Sequence, residues 1–390
     1  MDYSKILSQS AVSLKPSGIR KFFDLIESRP ECIALTVGQP DFVTPWRIRE
    51  AAIESLEEGK TYYTSNAGTL SLREEISKYL VRRFDMPEYD PKSEIVVTVG
   101  GSEGIDNAFR ALINSGDEVI IPEPCFVCYA PLVTMAGGTP ISLETRAEDE
   151  FKLTPDLLKS KITNKTKILL LAYPNNPTGA IMTRDELQAI ANIVLETDMV
   201  VVSDEIYAEM TYGEQKHVSI ASLEGMYERT VVISGFSKAY AMTGWRLGYV
   251  CAPEPITRQI LKIHQFGIMC APTTSQFAAV CALKDCDSEI EMMVDEYNRR
   301  RRYIYKGLTD IGIDTFEPKG AFYIFPKIGK FGLSSEEFCE RLFNEFDCAI
   351  VPGTAFGECG EGHARISYAY SVKHITAALE RIEAFVKTLK

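Results

Sequence analysis

The segment Thr230–Cys251, TVVISGFSKAYAMTGWRLGYVC, decides the fold. Its first five residues, Thr230–Ser234 (TVVIS), form a short β-branched run of the kind buried on both faces of a parallel sheet. Leu247–Cys251 (LGYVC) is a second such run, and only 12 residues separate it from Ser234, with no amphipathic helix among them. A parallel crossover needs more chain than that, so the second strand is expected to run antiparallel to the first.

Toward the N-terminus the same kind of run recurs at Glu94–Val99 (EIVVTV), Glu118–Ile121 (EVII), Thr139–Leu143 (TPISL), Lys167–Ala172 (KILLLA) and Met199–Ser203 (MVVVS). Segments with helical spacing lie between them, such as Arg184–Thr197 (RDELQAIANIVLET). Strands alternating with helices predict an α/β fold, with a mainly parallel seven-stranded sheet covered by helices on both faces. After Pro272 the pattern changes. A long charged helix over about Ser288–Thr309 leads to strand-like pieces at Ala321–Phe325, Ala349–Val351 and His363–Tyr368, then to a closing helix from Val372. Residues 281–390, together with an N-terminal segment 1–45, are expected to build a smaller α+β domain beside a large domain of residues 46–280.

At 390 residues the chain exceeds one minimal core, and 45% apolar with 25% charged residues is an ordinary globular mixture. A net charge of −12 argues against a nucleic-acid surface. The densest basic run, Arg299–Arg302, follows Asp295 and Glu296 in a helical pattern and reads as a solvated helix face. No leader sequence is recognisable at Met1–Ser13 and no run of 18 apolar residues occurs, so neither export nor membrane insertion is expected. Ten scattered cysteines suit reduced thiols in the cytoplasm. Cys125-x-x-Cys128 has no second close pair to complete a zinc site, so no metal is expected.

The residues able to do chemistry sit at strand ends. Lys238 follows the Thr230–Ser234 strand, in an expensive place for an amine unless it is paired or covalently used. Lysine amines form Schiff bases with carbonyls, and Arg246 offers a permanently charged fork suited to phosphate. A lysine snorkelling from a strand end would look the same. Asp204 and Tyr207 (SDEIY) end the Met199–Ser203 strand, where ligands of open α/β sheets bind, although an Asp there also caps helices. Tyr173-Pro-Asn-Asn176-Pro-Thr-Gly179 is a rigid turn that aims Asn176 at the same edge. Gly100, Gly101 and Ser102 end one strand and open a helix, a phosphate-friendly junction without Walker or dinucleotide spacing. Arg365 lies on a strand of the small domain, where a carboxylate partner is expected, from the protein or from a ligand.

Taken in chain order, these elements resemble the class I aminotransferases of pyridoxal-phosphate (PLP) fold type I, over nearly the whole chain. Ser234–Arg246 is similar to that family's lysine signature almost letter for letter. Val37-Gly-Gln-Pro-Asp-Phe42, Tyr62-Tyr63 ahead of Gly68, Pro318-Lys-Gly-Ala-Phe-Tyr323 and Val351-Pro-Gly-Thr-Ala-Phe-Gly357 extend the resemblance.

The resemblance implies pyridoxal 5′-phosphate held by Lys238 as a Schiff base, with Lys238 later shuttling a proton. Asp204 would hold the ring nitrogen, while Tyr207 and Asn176 would bond the ring oxygen. Gly100, Gly101, Ser102, Ser237 and Arg246 would cradle the phosphate, with Ser234 a weaker candidate. Phe126 would stack on the ring, at a position where many relatives carry Trp. Arg365 and the Gly38 backbone would bind the substrate carboxylate, with Asn176 beside them. Tyr63 would reach the cofactor of a second subunit, so a homodimer with shared sites is implied.

The implied reaction is ping-pong transfer of an amino group from an L-amino acid of aromatic, aspartate or alanine type to a 2-oxo acid such as 2-oxoglutarate. Some of the most similar relatives carry Lys just after the glycine pair. Ser102 stands there in this chain and weakens a strict dicarboxylate reading. A carbon–sulfur lyase or a non-catalytic PLP-binding regulator on the same scaffold would keep these residues.

Overall fold

The computed structural model describes residues 1, 3–14, 18, 29 and 31–389. In chain order its strands are β1 (Ile33–Ala34), β2 (Ile95–Thr98), β3 (Glu118–Glu123), β4 (Thr139–Glu144), β5 (Thr166–Leu171), β6 (Val200–Asp204), β7 (Thr230–Gly235), β8 (Gly248–Cys251), β9 (Tyr323–Ile324), β10 (Cys348–Ala349), β11 (Val351–Pro352) and β12 (Ala364–Ser367). Seven of them form one sheet in the order β2-β8-β7-β6-β5-β3-β4.

In that sheet β8 is the reversed strand, antiparallel to both β7 and β2, and the remaining pairs are parallel. The short link from β7 to β8 therefore does what its length required. It also puts the amino end of β8, and Arg246 just before it, on the same edge as the carboxyl ends of all the others. Gly248 is needed at that corner: a Cβ there would lie 2.6 Å from the Gly100 carbonyl carbon and 2.7 Å from the Gly101 nitrogen.

Alternate residues of each strand feed opposite cores, as a period of two demands. Val119 and Ile121 of β3, Ile168 and Leu170 of β5, and Val231 and Ile233 of β7 pack on one face with Phe109 of the helix Gly101–Leu112. Ile120, Leu169, Leu171 and Val201 point the other way, onto Leu187, Ile190 and Val194 of the helix Arg184–Leu195. That helix starts where its sequence says it should. Thr183 accepts from the Glu186 amide and the Glu186 side chain answers at the Thr183 amide, a complete capping box.

Chain order reverses between β3 and β5: from β3 the chain goes outward to β4, then returns to the other side of β3. Such a switch point opens a crevice at the carboxyl ends of the strands. A second body covers it. There β11-β12-β9 form an antiparallel sheet and β1 pairs with β10 in parallel. The helices Asp287–Ile311, Ser335–Phe346 and Val372–Thr388 supply Tyr297, Phe338, Ile375 and Phe385 to one core with Phe322, Ile324 and Ile366. The expected strand Ala349–Val351 is two short strands instead, β10 facing β1 and β11 facing β12, because the chain changes partner at Ile350. Of the N-terminal segment, residues 2, 15–17, 19–28 and 30 lie outside the described residues, while Leu35 is buried in the second core.

The run Arg299–Arg302 corrects the expectation of a solvated face. Arg299 and Arg302 are exposed, but Arg300 and Arg301 are buried. Arg300 holds Asp41 through Nη1 at 2.8 and 2.9 Å and Glu296 through Nε at 2.9 Å. Arg301 reaches Glu317 at 2.6 Å and the Pro318 carbonyl at 3.0 Å. Four consecutive helical residues span more than one turn, so two of them must face inward. Here the inward pair meets carboxylates from neighbouring segments.

Candidate active site

The crevice at the switch point is a cavity of about 340 Å³. Each element supplies it from the end the topology exposes. Phe126 and Tyr129 follow β3, Asn176 follows β5, Asp204 ends β6, and Ser237 and Lys238 follow β7. Gly101 and Ser102 open the helix after β2, Arg246 precedes β8, and Arg365 comes from β12 of the second body. Gly38 and Tyr207 also line it.

Asp204 is buried, and no helix follows for it to cap: residues 206–209 form a turn. Its Oδ2 accepts from the Tyr129 hydroxyl at 2.8 Å and its Oδ1 from the Ile206 amide at 3.1 Å. Burial nevertheless pushes its carboxyl above the usual range, outweighing these two bonds and the charge of Lys238, with which it forms no ion pair. Tyr129 is a site residue to which sequence reading assigned no role. Nothing in the sequence around it marks a bond to a residue 75 positions away.

Lys238 is half-buried, and its Nζ donates to the Gly38 carbonyl at 2.6 Å. Burial and the positive charge of Arg365 lower its ammonium to about 8. The rigid turn is built as its composition required. Asn175 Oδ1 accepts from the Thr178 amide and hydroxyl at 3.1 and 2.8 Å, leaving Asn176 to face the cavity.

Arg365 is 3% exposed. Its guanidinium donates from Nη1 to Asn176 Oδ1 at 3.0 Å and from Nη2 to the Thr36 carbonyl, and it lies between the rings of Tyr323 and Phe356, 4.7 Å from each centroid. Its Nε has no partner, and among the described residues no carboxylate pairs with it. A buried guanidinium without an ionic partner is costly, which makes Arg365 a candidate for an anionic ligand.

Three expected residues stand off the cavity wall. Gly100, at φ 78°, lies under Arg246, where a Cβ would come within 2.6 Å of Nη2. Ser234 turns its hydroxyl to the Glu205 carbonyl at 3.2 Å, away from the cavity. Tyr63 is 77% exposed on the outer surface. Cys125 and Cys128 are free thiols pushed up by burial.

The wall has the chemistry of PLP at each point. An uncompensated buried carboxylate suits a ring N–H⁺, a half-buried amine suits the aldehyde carbon, and a helix start beside Arg246 and Ser237 suits a phosphate. The family model for class I and II aminotransferases matches residues 30–382. The Bacillus subtilis protein YugH is 51% identical over 97% of this chain and 98% of its own. The aspartate aminotransferase of Pyrococcus abyssi is 45% identical over 97% of each. Among solved structures, the aromatic aminotransferase of Pyrococcus horikoshii superposes with a TM-score of 0.90 at 45% identity, covering 94% of this chain and 99% of that one. The chain belongs to the class I and II aminotransferase family, and it is a PLP-dependent transaminase of fold type I.

Proposed function

We propose that the enzyme moves the amino group of an L-amino acid of aromatic, aspartate or alanine type to a 2-oxo acid such as 2-oxoglutarate, in a ping-pong sequence. The observation that carries this reading is Arg365, a buried guanidinium with no carboxylate partner among the described residues, lining the same cavity as Lys238. Bound PLP supplies an electron sink for charge developing at the substrate Cα.

In this reading Asp204 keeps the ring nitrogen protonated, with Tyr129 orienting its carboxylate. Tyr207 and Asn176 bond the ring oxygen, and Phe126 covers the ring face. Gly101 and Ser102 offer amides, Ser237 a hydroxyl and Arg246 a guanidinium to the phosphate, while Gly100 keeps the Arg246 position clear. Ser234 falls out of this set, because its hydroxyl is spent on the Glu205 carbonyl. Arg365 and the Gly38 backbone fix the substrate carboxylate, so that the Cα proton comes within reach of Lys238 Nζ, the base.

Among the described residues, the cations on the cavity are Lys238, Arg246 and Arg365, each already engaged in this scheme. Phe126 and Tyr129 lie nearby, and Ser102 follows the glycine pair. Aromatic donors are therefore favoured over aspartate, whose second carboxylate finds no further cation on the cavity among the described residues.

The enzyme works as a homodimer in the cytoplasm, with Tyr63 serving the partner's phosphate. Tyr62, Tyr63 and Met269 are exposed, and the segments that carry them are joined by Asn66 Nδ2 to the Met269 carbonyl at 2.8 Å and Thr273 to the Tyr62 carbonyl at 2.7 Å. Free thiols at all ten cysteines suit a reducing compartment. The division into a large body of residues 46–280 and a small one of residues 1–45 and 281–390 belongs to the same reading.

The test is the visible spectrum of the PLP-loaded protein, titrated with amino acids in the absence of an acceptor. The expected result is loss of the cofactor band with one equivalent of oxo acid, reversed by 2-oxoglutarate and absent in Lys238→Ala. A persisting band with accumulating ammonia would move the assignment to a lyase.

A further inference from the structure

Tyr323 ends the Pro318–Tyr323 motif, and the scheme above leaves it without a role. It is 1% exposed, on β9 of the second body. Its hydroxyl is 2.7 Å from that of Tyr207, and among the described residues it has no other hydrogen-bond partner. Its ring lies under Arg365, whose Cζ is 4.7 Å from the centroid. From the other side Gly38 presses on the same hydroxyl: a Cβ at Gly38 would lie 2.3 Å from the oxygen. The phenol is therefore fixed by Arg365, Gly38 and the β9–β12 pairing, with its one polar atom against Tyr207.

Each phenol has one proton to donate and lone pairs to accept with. If Tyr207 gave its proton to Tyr323, only lone pairs would be left for the oxygen of a bound pyridine ring, which is itself an acceptor. Both protons are used well in one arrangement alone, Tyr323 to Tyr207 and Tyr207 onward. Burial pushes both phenols up, Tyr207 well up, and the Arg365 charge is the largest influence pulling Tyr323 back. Tyr323 is the better donor of the two.

We propose that Tyr323 is a positioning residue for the transamination: its hydroxyl donates to Tyr207 and so directs the Tyr207 proton at the ring oxygen of the cofactor. A donor that also accepts is a stronger donor, so loss of Tyr323 weakens the Tyr207 bond without breaking it. The chain Arg365–Tyr323–Tyr207 then links the substrate-carboxylate group to the ring oxygen across the two bodies, alongside the direct Arg365–Asn176 contact. The inference rests on the reading of Tyr207 given above.

The experiment is a double-mutant cycle on the PLP-loaded enzyme, read as the apparent pKa of the cofactor's visible band. It uses wild type, Tyr207→Phe, Tyr323→Phe and the double variant. Phe keeps the ring beneath Arg365, and the melting temperature of each apoenzyme reports folding. Tyr323→Phe is expected to raise the band's pKa by about 0.3–1 unit, less than Tyr207→Phe does. The double variant is expected to match Tyr207→Phe alone. A shift with Tyr207→Phe and none with Tyr323→Phe overturns the inference and leaves the Tyr207 reading standing, as do strictly additive shifts. No shift with Tyr207→Phe removes both.

Discussion

Arg365 Nη1 and Asn176 Oδ1 meet at 3.0 Å across the cavity, one on β12 of the second body, the other on the rigid turn after β5 of the large sheet. This bond ties the group assigned to the substrate carboxylate to a group assigned to the cofactor. Replacing Arg365 with Gln removes the charge while keeping amide donors. The expected result is a fall of about 100-fold in kcat/KM for every amino donor, corresponding to loss of a charge-assisted pair, with the cofactor band still formed. Unchanged kinetics would place the carboxylate elsewhere.

Lys238 makes a pH prediction whose sign is opposite to that of a salt-bridged lysine. Its ammonium is lowered from 10.5 to about 8 by burial, then by Arg365. Below pH 8 the amine is protonated in both folded and unfolded chains, and the folded apoenzyme carries the full cost of the charge. Between about 8 and 10.5 the folded chain has lost a proton that the unfolded chain keeps, so stability rises with pH across that window. Apo Lys238→Met should melt above wild type at pH 7, with the gap closing toward pH 10.5. A gap independent of pH would show that the amine is not strained.

Asp204 has the mirror-image linkage. Its carboxyl is raised above 3.8 by burial, so it costs nothing at low pH and destabilises the apoenzyme as pH rises through its folded value. Apo Asp204→Asn should therefore be more stable than wild type at neutral pH, with the gap closing as pH falls toward 3.8. Added PLP should raise the melting temperature of wild type more than that of the variant, because only the carboxylate gains a cationic partner. Equal shifts in thermal denaturation would argue that Asp204 does not meet the ring.

Tyr129→Phe removes the 2.8 Å bond that orients Asp204. Loss of a hydrogen bond to a buried carboxylate should weaken PLP about 10- to 100-fold, measured by equilibrium dialysis of the apoenzyme. An unchanged affinity would mean that the Ile206 amide alone holds Asp204 in place.

Arg300→Ala is expected to destabilise the fold by about 1–2 kcal/mol in denaturant melts, since it removes a buried guanidinium packed on Phe42 and Tyr297 and leaves the part-exposed Asp41 and Glu296 without their partner. Asp41 lies three residues after Gly38, so KM should rise as well. Loss of stability with KM unchanged would confine Arg300 to a structural role.

Most of the fold was legible because parallel strands buried on both faces leave continuous apolar runs. The reversed β8 was legible because 12 residues cannot make a crossover. Lys238, Asp204, Asn176 and Arg246 were legible because strand ends of such a sheet converge on one edge, and these residues are the polar groups found there. Arg300 and Arg301 were misread because charge says nothing about which side of a helix a partner will approach. Ser234, the weaker phosphate candidate, turns its hydroxyl to the Glu205 carbonyl, a direction that residue spacing does not give.

The sequence by itself determined the architecture, the carboxyl-edge location of the site, the family and the cofactor, all of which follow from local patterns and from motifs contiguous in the chain. The tertiary structure alone decided the pairings between distant segments: Tyr129 with Asp204, Arg300 with Asp41, and Tyr323 with Tyr207. It also decided that Arg365 meets Asn176 rather than an internal carboxylate. The physical reason is that a buried polar side chain takes its meaning from the one atom it faces. That atom is selected by packing between segments up to 259 residues apart in these pairs, over which no local preference of the chain extends.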